Sequence, residues 1–175
     1  FPGGGLTSVT RLNILLENEI TALCCTPTYA LRLIEVASKE GIDLSQSQLK
    51  TVIVAGEPGG SIASTRNRIE SAWPNTKVFD HHGMTEVGPV THQCLEIPDS
   101  LQVMEDAYLA EILLPGENKP PPKDEEGELV LTTLTRTAMP LIRYRTGDLV
   151  SPQIYGKNLI LKGGILGRTD DMTIV

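Results

Sequence analysis

Phe79-Asp80-His81-His82-Gly83-Met84-Thr85-Glu86 follows a short apolar run and sets a flexible Gly, a hydroxyl and a carboxylate within a few residues. Two of the three histidines lie in it, and the third, His92, follows shortly. A strand ending in such a turn presents polar side chains at the C-terminal edge of a sheet, where open α/β sheets bind their ligands. The flanking residues are read as support for this turn or as a second wall facing it.

Upstream, helix and strand patterns alternate. From Thr7 onward Val9, Leu12, Leu15 and Leu16 share one helical face, with Thr7 or Ser8 as cap. Ile20 to Cys25 is a continuous apolar run, expected to be a strand buried on both faces. Thr26-Pro27 opens a second helix, because Pro needs no N–H at the first helical position. Ala30, Leu33, Ile34 and Ala37 form its buried face, and Gly41 sits where a left-handed stop belongs. Leu49 to Ala55 is the next buried strand and runs into Gly56-Glu57-Pro58-Gly59-Gly60. Ser61 is the expected cap of a helix reaching about Trp73, which Pro74-Asn75 breaks. Lys77 to Asp80 is the third strand. Such alternation implies right-handed crossovers and a parallel sheet flanked by helices.

Downstream of about Ile97 helical periodicity fades. Leu101 to Leu114, Glu128 to Thr133, Leu141 to Tyr144 and Leu159 to Lys162 read as strands. Turns are expected at Pro115-Gly116, Glu126-Gly127 and Gly163-Gly164. Pro120-Pro121-Pro122 and the charged run Lys123 to Glu126 read as an exposed loop. The expected organisation is therefore an α/β part over 1–97 and a β-rich subdomain over 98–175, with no internal repeat.

Composition narrows the class. A chain of 175 residues suits one domain or two small lobes. It is 40% hydrophobic but only 4% aromatic, so the core must be aliphatic. A net charge of -7 without a basic run argues against a nucleic-acid partner. No apolar stretch is long enough to span a bilayer, so no membrane partner is expected. Cys24 and Cys25 are adjacent in an apolar run and read as core packing, not nucleophiles. With three cysteines and no disulfide framework, a reducing, cytoplasmic setting fits best. The chain opens at Phe1 with a Gly-rich loop to Gly5 and no signal-like segment. It stops at Met172-Thr173-Ile174-Val175, which reads as a strand cut in mid-run. The expectation is a piece of a larger protein.

Taken alone, Gly83-Met84-Thr85-Glu86 describes an ordinary turn with a solvated Glu equally well. Two further segments shift the balance. In Arg143-Tyr144-Arg145-Thr146-Gly147-Asp148-Leu149 a Gly tightens the chain just before a carboxylate. Gly167-Arg168-Thr169-Asp170-Asp171 clusters a guanidinium with two acids. Ala55-Gly56-Glu57-Pro58 precedes these segments and Gly127-Glu128-Leu129-Val130-Leu131-Thr132-Thr133 lies between them. In this order the set resembles the adenylate-forming (acyl- and aryl-CoA synthetase) superfamily, and within it the phenylacetate–CoA ligase-like family. The resemblance covers nearly the whole chain, and several ordered motifs agree by chance far less often than one.

The resemblance implies ATP-dependent activation of a carboxylic acid to an acyl-adenylate, then displacement of AMP by CoA to give a thioester. Thr85 falls where the family binds phosphate through a hydroxyl, and Glu86 where a carboxylate meets Mg²⁺, a hard cation that bridges phosphates. Asp148 matches the acid that accepts from the ribose hydroxyls. Arg168 matches a guanidinium reaching the ribose or α-phosphate. Thr85, Glu86 and Arg168 are thus the implied catalytic residues. Gly56, Glu57 and Pro58 match the loop under adenine, where a missing side chain permits close approach. His82, beside Gly83, stands where many relatives carry a Tyr that packs on adenine, and imidazole offers less area for it. Asp170 resembles the hinge to a small C-terminal domain. Thr26, Pro27, Tyr29 and Ala55 resemble positions facing the acid, although Tyr at such a place is more often half-buried packing.

Alternatives remain open. His81, His92 and Cys94 could supply zinc ligands, but His92-Gln93-Cys94 is tightly spaced and no CxxC pair is present. The structural reading of these three ranks ahead. The family's phosphate-wrapping loop with its Lys, and its C-terminal domain with the adenylation Lys, have no counterpart in this sequence. The chain by itself is therefore expected not to turn over. CoA and a carrier-protein thiol are not separated by these motifs, and a non-catalytic nucleotide-binding module is the third reading. Phenylacetate, benzoates and even aliphatic acids stay open as substrate, and a homodimer is compatible because relatives often pair.

Overall fold

The computed structural model describes residues 4–171. The expected strand end at Met172-Thr173-Ile174-Val175 and the start of the Gly-rich loop, Phe1-Pro2-Gly3, lie outside the described residues. The chain forms two compact units, Phe1–Phe79 and Asp80–Val175. The pattern of the sequence changes later, near Ile97, because the intervening strands are only two or three residues long and carry no periodicity to read.

The first unit follows the expected alternation. Helix α1 (Ser8–Glu17) is capped by Thr7, whose hydroxyl accepts from the Thr10 N–H at 3.2 Å. Helix α2 (Pro27–Glu40) starts at Thr26, whose Oγ1 accepts from the Tyr29 N–H at 3.2 Å, and ends at Gly41 with φ 69°. Strands β1 (Ala22–Cys25) and β2 (Thr51–Val54) pair in parallel, and β3 (Lys77–Asp80) completes a sheet in the order β1-β2-β3. Leu12, Leu33, Val52, Val54, Ile69 and Trp73 form the centre of an aliphatic core with one buried indole.

Two expectations fail here. β1 is not buried on both faces: Ala22 and Cys24, on one face, are exposed, and Leu23 and Cys25, on the other, are half-buried. Core packing is thus wrong for Cys24. Ser61 does not cap α3 (Ala63–Ala72). The cap position is Ile62, without a side-chain bond, because a turn from the Gly59 carbonyl to the Ile62 N–H at 3.1 Å comes first and leaves Ser61 buried.

The second unit begins with a small hairpin, β4 (Gly83–Met84) against β5 (Gly88–Pro89). It continues with β6 (Thr91–Gln93), β7 (Ser100–Val103), β8 (Tyr108–Leu113), β9 (Gly127–Thr133), β10 (Tyr144–Tyr155) and β11 (Asn158–Arg168). The last six make one antiparallel sheet in the order β6-β7-β11-β10-β9-β8. Val90, Leu101, Leu129, Leu131, Val150 and Leu161 lie in its core.

The expected run Leu101 to Leu114 is two strands, because Met104 accepts from the N–H groups of Ala107 and Tyr108 in a tight turn. Leu141 lies before β10, its N–H taken by the Thr133 hydroxyl at 3.0 Å. Gly127 opens β9 instead of sitting in a turn. Gly163 and Gly164, at φ 76° and 73°, make a bulge inside β11 rather than a turn after it. The loop after Pro115-Gly116 is exposed as expected, from Pro120 to Glu126 apart from a half-buried Pro121. Among the described residues no helix is long and apolar enough to cross a membrane.

Candidate functional site

The best-defined polar site lies in the second unit, where β10 departs from its ladder. Arg145 pairs with Val130 and Leu149 with Glu128, so Thr146, Gly147 and Asp148 all face the single residue Leu129. Gly147 is required there: its φ is 76°, and a Cβ would lie 2.9 Å from Nη2 of Arg168. The bulge is held by its neighbours. Thr146 Oγ1 donates to the Leu129 carbonyl at 2.8 Å and accepts from the Asp148 N–H at 3.0 Å. The buried Glu128 accepts from Arg145 Nε and Nη2 at 2.9 and 2.6 Å, and from the Gly147 N–H at 3.2 Å.

This backbone places Asp148 opposite Arg168 across β10 and β11. Arg168 Nη1 donates to Asp148 Oδ1 at 3.1 Å, and its Nη2 donates to the Thr146 carbonyl at 3.3 Å. On the other side, His82 Nε2 approaches Asp148 Oδ2 to 3.3 Å. The two atoms are close but not aligned, and each is buried without a hydrogen-bond partner. The side chains of His82 and Asp148 are 12% and 5% exposed, against 50% for Arg168. Burial pushes the Asp148 pKa above the ordinary carboxylate value, opposed by His82, Arg168 and the Thr146 hydroxyl. Burial likewise pushes His82 below the ordinary imidazole value, opposed by Asp148 and reinforced by His81 and Arg168. Desolvation dominates both members of the pair.

His82 is fixed at the foot of the β4–β5 hairpin. Its N–H donates to Thr91 Oγ1 at 2.9 Å, and its carbonyl accepts from the Val90 and Thr91 N–H groups at 2.9 and 3.1 Å. Only glycine fits at position 83, where a Cβ would meet the Gly88 carbonyl oxygen at 2.8 Å and Pro89 Cα at 2.9 Å. Thr85 and Glu86 lie at the hairpin tip with exposed side chains. The tip is anchored through main-chain carbonyls: Glu86 O accepts from Arg136 Nη1, and Val87 O from the Tyr108 hydroxyl at 2.6 Å. The exposed carboxylate of Glu86 suits Mg²⁺, which takes one or two protein carboxylates and completes its shell with phosphates and water.

The zinc alternative finds no cluster. His92 is exposed with Nδ1 3.0 Å from the Gln93 carbonyl, while the buried Cys94 turns its thiol to Glu96 at 3.6 Å. Among the described residues no three His, Cys, Asp or Glu side chains could hold a metal ion. Asp170 follows β11 in a short 3₁₀ turn, Thr169–Asp171, and is exposed.

In the first unit the Gly56 to Gly60 loop packs on the start of α2. Gly56, at φ 90°, lies against the Thr26 methyl, and a Cβ on Gly59 would come within 2.8 Å of Pro27 Cβ. Glu57 accepts from the Thr28 N–H at 2.7 Å and from the Thr28 hydroxyl. Those bonds, the hydroxyl's first, hold its carboxyl below the ordinary glutamate value. Pro58 is exposed and Ala55 half-buried, with the Ala55 N–H donating to the Cys25 carbonyl at 3.2 Å. Tyr29 turns toward α1: its hydroxyl is 3.2 Å from Ser8 Oγ, and Arg11 stands 6.0 Å from the ring centre. It lines a cavity of about 390 Å³ with Leu23, Cys25 and Leu33. Burial raises the Cys25 thiol to about 11, so it is neutral and not a nucleophile.

A family described as AMP-binding enzyme matches residues 2–136. The chain belongs to the AMP-binding enzyme family. Among relatives, the phenylacetate-coenzyme A ligase of Thermus thermophilus is 33% identical over 98% of this chain and 39% of its own length. That of Aromatoleum evansii is 35% identical over 99% of this chain and 40% of its own length. The chain therefore spans well under half the length of these relatives. A solved 2-hydroxyisobutyryl-CoA ligase, in the postadenylation state with 2-HIB-AMP, superposes with a TM-score of 0.89 at 30% identity, covering 100% of this chain and 39% of that one. The parallel sheet with flanking helices and the antiparallel sheet are thus the fold of an adenylate-forming CoA ligase N-terminal domain.

Of the residues singled out in the sequence, His82, Asp148 and Arg168 converge in one unit, and Thr26, Gly56 and Glu57 in the other. Sequence reasoning gave no role to Arg145, Glu128 and Thr146, which build the bulge under Asp148. A signal was available for Glu128: it is an acid directly before the apolar run Leu129-Val130-Leu131.

Proposed function

We propose that the protein carrying this chain is an ATP-dependent acid–CoA ligase that adenylates a carboxylic acid and passes the acyl group to CoA. The observation that carries this reading is the Asp148 site: a buried carboxylate set on a built bulge, with a half-exposed guanidinium on one oxygen. Such a carboxylate suits the paired hydroxyls of a ribose, since it accepts and they donate. Arg168, freed from Oδ1 by a hydroxyl, remains close enough to meet an adjoining phosphate. Thr85 would bind phosphate, and Glu86 would hold Mg²⁺, which neutralises phosphate charge when bound. Asp170 keeps its proposed place as hinge, Gly56 to Pro58 theirs beside adenine, and Thr26, Tyr29 and Ala55 theirs near the acid.

Phenylacetate or a related aryl acid is the proposed substrate, supported by the phenylacetate-coenzyme A ligases among the relatives. A small hydroxy acid is the second reading, favoured by the likeness to 2-hydroxyisobutyryl-CoA ligase. The test is ATP–pyrophosphate exchange by the full-length protein with each acid. Exchange that depends on phenylacetate, followed by thioester and AMP once CoA is added, is the expected result. Exchange with no acid tried would overturn the assignment, and thioester formation on a carrier protein but not on CoA would move it to a carrier-loading enzyme.

A further inference from the structure

We infer that His82 is a positioning residue for Asp148, its ring nitrogen holding the enclosed oxygen of the carboxylate while the outer oxygen is left to the nucleotide. The inference rests on the ribose reading of Asp148 and goes beyond it. By resemblance, the place of His82 is that of a ring packed on adenine. Its surroundings argue otherwise. With 12% of its side chain exposed, it has little face to offer a base. Its Nε2 is buried, lacks a hydrogen-bond partner and stands 3.3 Å from an equally buried and unpartnered Oδ2.

The two oxygens of Asp148 are not equivalent. Oδ1 faces Arg168, which is half exposed and able to give way to a ligand hydroxyl. Oδ2 is enclosed, has no hydrogen-bond partner, and stands 3.3 Å from the imidazole Nε2. In the inferred arrangement Nε2 carries the ring proton and donates it to Oδ2, which fixes the plane of the carboxylate. An unfixed carboxylate can still attract a nucleotide, but it aims its lone pairs poorly at two vicinal hydroxyls.

Stacking and positioning predict different losses. A lost stack weakens every adenine nucleotide alike, whereas a misaligned Asp148 erodes the preference for ribose over deoxyribose. The experiment measures affinities of ATP and 2′-deoxy-ATP for the full-length protein and its His82→Phe and His82→Gln variants by calorimetry. Phe keeps the ring face and removes the donor. Gln removes the face and places an amide N–H near the position of Nε2. His82→Phe should lower the ATP-to-deoxy-ATP affinity ratio about tenfold, the worth of one well-aligned bond, while His82→Gln stays within about twofold of wild type. His82→Leu replaces the Phe variant if the latter does not fold. A ratio unchanged in His82→Phe, or lost equally in His82→Gln, overturns the positioning role. Wild-type protein that binds both nucleotides equally would instead sink the ribose reading, and the inference with it.

Discussion

Glu57 and Asp148 are two carboxylates in segments that resemble nucleotide-binding motifs, and their surroundings treat them in opposite ways. Glu57 is partly exposed, takes two donors from Thr28, and its pKa is lowered. Asp148 is buried, keeps one oxygen without a hydrogen-bond partner, and its pKa is raised. A carboxylate that gives one oxygen, Oε1, to two donors of its own chain serves a structural task, here closing the first turn of α2. One held rigid in a dry place with acceptor capacity left over is poised for donors from elsewhere. On this contrast Asp148 is the carboxylate proposed to meet the nucleotide, and Glu57 is the one whose charge supports the start of α2.

The largest expected effect breaks the comparison at its functional end. Asp148→Ala removes bonds to a charged acceptor, so nucleotide affinity of the full-length protein should fall about 10- to 100-fold. Calorimetric titration with AMP measures it, and an unchanged affinity removes Asp148 from the nucleotide site. Gly147→Ala acts next, through the backbone. A left-handed φ costs an L-residue about 1–2 kcal/mol, and the new Cβ would press on Arg168. Urea unfolding should show that loss, with nucleotide affinity falling alongside it. Stability lost without any change in affinity would mean that the bulge does not aim Asp148.

How far this contrast could be read beforehand depends on the residue. Gly147-Asp148 and Gly167-Arg168 were legible because a glycine beside a charge in an ordered motif has few other uses. Their antiparallel pairing was not, because the strands of 12 and 11 residues are interrupted by Gly147 in one and by Gly163-Gly164, which look like a turn, in the other. Gly163 and Gly164 became a bulge because both flanking segments keep pairing with β10. The edge position of β1 was equally hidden: an apolar run reports affinity for a core, not which strand lies beside it. The Thr28 bonds that occupy Glu57 span 29 residues and left no local pattern to read.

The smallest expected effect tests the structural end. Glu57→Gln keeps the shape and an acceptor but loses the charge facing the first turn of α2. The group is partly exposed and screened by solvent, so the loss should be a few tenths to about 1 kcal/mol at neutral pH. Its pH dependence carries the sharper information. The pKa of Glu57 is lowered from 4.5 by the Thr28 hydroxyl first, then the Thr28 N–H, against the opposing effect of burial. The unfolded chain therefore binds its proton at a higher pH than the folded one. The stabilisation is complete above 4.5 and disappears as pH falls through the lower folded value. Urea midpoints of wild type and Glu57→Gln should thus differ at pH 7 and converge in acid. A gap that persists undiminished in acid would show that the carboxylate charge contributes nothing to α2. Glu57 and Asp148 would then no longer divide into a cap and a binding group on electrostatic grounds.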